Sequence, residues 1–135
     1  MARAYTCPKC GGLLNPGTKV IFVIEHGRDH GLVLLSPKLG DYAVVLGTSF
    51  PLTPGTVCTF RCPICHADLT SPINDKLVEI DSREESGLTA RVDFSRVAGE
   101  HATFVRGPKG LRRFGEHASR YESVNFFGAG AREQP

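Results

Sequence analysis

The chain reads as a mainly β protein, and three features of its 135 residues say so. Its apolar residues gather in short runs, the longest at 20–24 and 32–35, which have the length of strands. Those runs are rich in Val, Ile and Phe, side chains that fit a pleated surface. Turn signals separate them, and two match: Pro16-Gly17-Thr18 and Pro54-Gly55-Thr56 each precede a β-rich run.

Taken in order, the first four strands are expected at 19–25, 31–36, 42–46 and 56–61, with loops at 27–30, 37–41 and 48–54. They suit a small antiparallel sheet or a partial barrel. Three more are expected at 77–82, 88–94 and 101–106, with an acidic turn at 83–86. Gly107-Pro108-Lys109-Gly110 is a strong turn signal, so 101–106 and 111–114 are expected to form a hairpin. A short helix is expected at 116–123, and residues 128–135 read as a mobile tail. The division drawn from this is a first lobe at 1–72, a second β-rich lobe at 73–127, and the tail. Pro72 and Asn74-Asp75 mark the boundary.

The composition is 41% hydrophobic and 22% charged, which excludes wholesale disorder. A chain of this length buries roughly two-thirds of its unfolded surface, so a core can form. No run approaches the roughly 18–20 apolar residues of a membrane helix, and no membrane partner is expected. The first twenty residues lack the apolar centre of a secretory signal, which points to a cytoplasmic protein. The net charge of +2 does not by itself point to a polyanion. It is unevenly placed, however. Residues 66–100 hold four cations and eight anions, and residues 101–135 hold six cations and three anions. The two segments can neutralise each other across a sheet.

Five cysteines carry most of the chemical information: Cys7, Cys10, Cys58, Cys62 and Cys65. In a reducing compartment structural disulfides are rare, and Cys-x-x-Cys is metal-site spacing. One pair reads Cys7-Pro8-Lys9-Cys10-Gly11-Gly12-Leu13-Leu14. The other reads Cys62-Pro63-Ile64-Cys65-His66-Ala67-Asp68-Leu69. Proline is second in both, and a leucine lies seven positions after the first cysteine in both. A tight turn of this kind puts two sulfurs on one side and aims backbone N–H groups at them. Proline fixes φ within the turn. The residue after the second cysteine often needs φ > 0, which Gly11 takes freely and His66 less so.

These two segments resemble the rubredoxin-type CPxCG knuckles of the zinc-ribbon family. The resemblance implies a zinc ribbon elaborated by inserted β structure, with one structural zinc held by Cys7, Cys10, Cys62 and Cys65. It covers about sixteen residues. Fifty-one residues lie between Cys10 and Cys62, more than a compact ribbon requires, and His66 stands where glycine is usual. Iron in the same four-thiolate set, a disulfide pairing, a c-type haem on Cys62-x-x-Cys65-His66 and a radical cluster on Cys58, Cys62 and Cys65 are the competing readings. Haem attachment needs export and leaves Cys7 and Cys10 unexplained. The seventy residues after Cys65 are too few for the barrel of a radical enzyme. Cys58 reads first as a small buried hydrophobe and second as a substitute ligand.

Three other constellations merit a function. Gly99-Glu100-His101-Ala102 recurs as Gly115-Glu116-His117-Ala118, so His101, His117, Glu100 and Glu116 are weak candidates for a hydrolytic or second-metal site. Neighbouring Glu and His on a strand point to opposite faces, which disfavours a joint role. Arg106, Lys109, Arg112 and Arg113, flanked by Phe104 and Phe114, could track phosphates and stack on bases of single-stranded nucleic acid. His26 and His30 fall in a glycine-flanked polar loop and read as solvated. No phosphate-loop, serine-hydrolase or zinc-protease motif occurs. The expected function is that of a non-catalytic zinc-binding adaptor with a protein partner, an exposed apolar patch near Phe126 and Phe127 being one place for it. Nucleic-acid binding and a small enzyme are the alternatives.

Overall fold

The structure is a computed structural model, and it describes residues 3–46, 53–84, 86–107, 110–122 and 124. Lys109, Phe126, Phe127 and the segment 128–135 lie outside the described residues. In chain order the strands are β1 (Ala4–Thr6), β2 (Val20–His26), β3 (Asp29–Leu35), β4 (Val44–Leu46), β5 (Thr59–Arg61), β6 (Leu77–Arg83), β7 (Thr89–Ser95), β8 (Thr103–Gly107) and β9 (Gly110–Phe114). A 3₁₀ turn at Ala118–Tyr121 follows. They form two open antiparallel sheets: five strands in the order β1-β6-β7-β8-β9, and four in the order β4-β3-β2-β5.

The sheets face each other across one core. On β2 the residues Val20, Phe22 and Ile24 alternate inward. They meet Val33 and Phe60 from their own sheet and Val78, Ile80, Val92 and Val105 from the other. The outer face of the five-stranded sheet carries a second cluster, in which Ala118 and Tyr121 of the 3₁₀ turn cover Leu77 and Phe104. The same face carries an ionic ladder. Arg106 reaches both Glu79 and Asp93, and Arg91 bridges Glu79 and Asp81 at 2.7 Å each. Arg106, from the basic end of the chain, thus neutralises carboxylates of the acidic segment.

Element boundaries differ from expectation where long-range contacts decide them. β1 carries no strand signal, being three residues long, and exists because Tyr5 registers against Ser82 of β6. β3 begins at Asp29, because Gly27 at φ 63 closes a two-residue turn that pairs His26 with Asp29. β4 begins at Val44, since Tyr42 leaves the sheet to stack on His101. β5 begins at Thr59, and Val57 instead bridges Val97. The helix expected at 116–123 contracts to a single 3₁₀ turn of four residues.

Candidate metal centre

The two cysteine segments are built alike, residue for residue. Cys7 N donates to Gly12 O at 3.0 Å, and Cys62 N donates to Ala67 O at 3.1 Å. Gly11 N returns to Cys7 O at 2.8 Å, as His66 N returns to Cys62 O at 2.9 Å. Gly11 and His66 both take positive φ, 76 and 65. Leu14 N donates to Tyr5 O and Leu69 N to Phe60 O, which buries both leucines beneath the turns. The matching leucines noted in the sequence are therefore the anchors that pin each knuckle to the core.

Each knuckle leaves a different strand, and this matters for the whole fold. Cys7 follows β1 of the five-stranded sheet, and Cys62 follows β5 of the four-stranded sheet. The site thus joins the two sheets at one end. Cys7 and Cys62 are buried, Cys10 and Cys65 face outward. All four sulfurs lie within 4.8 Å of one another. Cys7 Sγ is 3.8 Å from Cys65 Sγ, and Cys10 Sγ is 3.8 Å from Cys62 Sγ. A regular tetrahedron with metal–sulfur bonds of about 2.3 Å has edges of about 3.8 Å, so the spacing fits a four-thiolate cation. Cys58 is not part of this cluster; it is buried between the sheets, and burial pushes its thiol up.

The amide environment suits thiolates. Lys9 N and Cys10 N point at Cys7 Sγ at 3.3 and 3.4 Å, and Gly12 N at Cys10 Sγ at 3.4 Å. Ile64 N and Cys65 N repeat this at Cys62 Sγ at 3.3 and 3.4 Å, and Ala67 N–H serves Cys65. Burial opposes ionisation of Cys62, but these amides and the adjacent thiols bring it below the ordinary thiol range. At Cys7 burial prevails and the thiol is raised. A cation would resolve this conflict by ionising all four.

Two details concern the residues that follow the second cysteine of each knuckle. A Cβ at Gly12 would lie 2.4 Å from Ile64 Cδ1, so the knuckles interlock there. At His66 the left-handed backbone is braced from outside. Arg61 donates to His66 O at 3.0 Å while holding Glu25 at 2.9 Å.

The repeated tetrapeptide has a structural origin. Gly99 and Gly115 both turn the chain at positive φ, 83 and 99, and Ala102 and Ala118 both enter the second apolar cluster. The two copies meet. His101 N donates to His117 Nδ1 and His117 N donates to His101 O, each at 2.9 Å. His101, Glu116 and His117 offer ligand atoms within 4.8 Å of one another. Yet His117 Nδ1 already accepts a proton donor, which places the ring proton on Nε2, directed at Glu116 3.3 Å away. The Nε2 lone pair is then not free for a cation. Glu100 is turned away to Ser95, Arg120 and Tyr121. The structure therefore joins the two histidines without joining both Glu–His pairs.

The basic constellation is dispersed. Phe104 is fully buried and cannot stack on a base, and Arg106 is held by Glu79 and Asp93. Phe114 packs against the main core, with the guanidinium of Arg112 5.2 Å from its ring centroid. Arg112 and Arg113 are exposed on β9 and, as neighbours on a strand, face opposite ways. No helix among the described residues is long and apolar enough to cross a membrane.

A surface that sequence reading missed lies on the outer face of the four-stranded sheet. The register sets Ile21 beside Leu34 and Leu34 beside Val45, with Val23 beside Leu32. These five aliphatic side chains point away from the core. Leu32 is 48% exposed and Val45 52%. The signal was present in the runs 20–24 and 32–35, which are apolar on every residue instead of alternating. Runs of that kind belong to strands covered on both faces.

No family model matches the chain, and neither a curated protein nor a solved structure matches it.

Proposed function

We propose that this chain is a non-catalytic, zinc-stapled recognition scaffold that binds a protein partner. The four-sulfur cluster carries the reading. Its donors are all thiolates and they complete a tetrahedron, so no position is left for water or substrate. Such a site supplies rigidity, not Lewis acidity. Zinc is the cation that four closed thiolates suit in a structural role, and iron is the competing metal for the same set. Unpaired thiols of this kind suit a reducing compartment, which supports a cytoplasmic protein. The uncovered aliphatic face of Ile21, Val23, Leu32, Leu34 and Val45 supports a protein partner over nucleic acid, because it offers an apolar surface with the Arg61–Glu25 ion pair at its edge.

Elemental analysis of the purified protein is expected to give one zinc per chain. Affinity capture from the native source is then expected to recover a partner with the parent protein and to lose it with Leu32→Glu/Val45→Glu, the zinc being retained. Iron in place of zinc, or undiminished capture by the double variant, would overturn this assignment.

A further inference from the structure

The sheets leave a cavity of about 320 Å³ between their inner faces, bounded at one end by the 36–43 and 95–101 connections. We propose that it binds a flat, uncharged molecule of bicyclic size that carries one hydrogen-bonding head. Native cores hold few voids larger than a water molecule. An apolar cavity of about 150 Å³ takes up benzene, and this one is twice that size. Face-to-face sheets stand about 10 Å apart, so space between them is slab-shaped and admits a planar guest.

The lining defines the guest further. Phe22, Phe60 and Phe94 form a three-ring cluster with centroids 5.4–5.6 Å apart and interplanar angles from 57° to 84°. Phe22 is fully buried and Phe60 nearly so, and the half-buried Phe94 is the ring that a guest would meet. The charged residues at the rim are occupied. Glu100 is bound by Ser95, Arg120 and Tyr121, Arg96 by the carbonyls of Asp75 and Cys58, and Asp41 by the N–H of Ala43. Lys38 lies in the field of the Asp41 carboxylate. A charged guest would lose its hydration among the apolar inner-face side chains that make up most of the lining.

His101 supplies the partner for the head. Its ring lines the cavity and stacks on Tyr42 with centroids 4.5 Å apart and planes 9° apart. Tyr42 is in turn fixed by its hydroxyl contact with Thr103 at 2.8 Å. The His101 backbone is fixed on both sides by His117. Its ring nitrogens meet no hydrogen-bonding partner among the described residues. The imidazole is thus held in one orientation at the cavity rim with its polar atoms unspent.

The test uses the metal-loaded full chain with 2-naphthol and naphthalene as probes, followed by fluorescence titration. We expect 2-naphthol to saturate at one per chain and to bind about fivefold more tightly than naphthalene, the effect of one neutral hydrogen bond. His101→Phe keeps a stacking ring and is expected to erase that difference. Leu35→Trp fills the cavity and is expected to weaken both probes at least about tenfold with metal content unchanged. Should Leu35→Trp fail to hold metal, Leu39→Trp at the rim carries the same expectation. Absence of saturable uptake, or uptake undiminished in the tryptophan variant, would overturn the site. Equal affinity for the two probes would overturn the role given to His101.

Discussion

The two sheets solve the same problem in opposite ways. Each buries one face in the shared core, and each has a second face to dispose of. The five-stranded sheet covers its outer face with Ala118 and Tyr121 of the 3₁₀ turn and fills the rest with the Glu79–Asp93–Arg106–Arg91 ladder. The four-stranded sheet leaves Ile21, Val23, Leu32, Leu34 and Val45 on a face that nothing among the described residues covers. One sheet is complete in itself, and the other has the composition of a strand layer awaiting cover. The proposed recognition surface is therefore the four-stranded sheet. The sheets are held together at one end by the cysteine knuckles. Elsewhere the Tyr5 hydroxyl donates to Pro37 O at 2.7 Å, and Tyr42 meets Thr103.

The largest test of this arrangement removes the joint between the sheets. Cys62→Ser, or chelation of the native protein, should lower the melting temperature by more than about 10 °C, since structural zinc binding is folding free energy. Differential scanning calorimetry with metal analysis measures it; an unchanged melting temperature with metal lost would deny the site its structural role.

Next comes the ladder. Arg106→Met strips Asp93 of its cation and leaves it buried beside Glu79, at an expected cost of about 3–5 kcal/mol in urea unfolding. A cost below about 1 kcal/mol would mean the ladder is solvated. At the other joint, a Cβ on Gly115 would sit 2.2 Å from His101 O and 2.6 Å from the Tyr42 hydroxyl at φ 99. Gly115→Ala should therefore cost about 2–4 kcal/mol and detach Tyr42 from His101, visible as a changed tyrosine signal in near-ultraviolet circular dichroism.

A smaller effect is pH-dependent. Burial pushes Asp93 up to about 6 from an ordinary 3.8, with Arg106 opposing and Glu79 adding to the rise. The folded state then holds a proton that the unfolded state releases between those values. The contribution is complete below about 4 and is lost as the pH rises through about 6, amounting to up to roughly 3 kcal/mol. Wild type should lose stability relative to Asp93→Asn between about pH 4 and about 6, a window read by paired melting curves. A constant difference across that window would show that Asp93 is ionised throughout.

The smallest expected effect concerns the uncovered face. Leu32→Thr/Val45→Thr should change stability by no more than about 1 kcal/mol, because exposed side chains lose little on truncation. A loss above about 3 kcal/mol would show that the face is packed within the chain. That result would remove the contrast between the sheets.

How much of this was legible beforehand depends on the range of the interaction. The knuckles were readable because proline, paired cysteines and the leucine seven positions on act within eight residues. Most strands were readable because β-branched runs and glycine turns are local signals. β1 was not, since its three residues become a strand only through pairing with β6, some 75 residues away. Nor was the fate of Tyr42, which reads as the start of a strand, or of Phe104 and Arg106, which read as surface chemistry; stacking, burial and ion pairing with distant strands settle it.

The amino-acid order alone determined which residues could bind a cation and where the chain could extend or turn, because those depend on neighbours along the backbone. Only the folded chain decided that the four cysteines join two sheets, that the repeated Gly-Glu-His-Ala segments lock histidine to histidine, and which apolar face stays open. Those outcomes depend on which strands pair and in what register, and register is fixed by contacts between residues far apart in sequence.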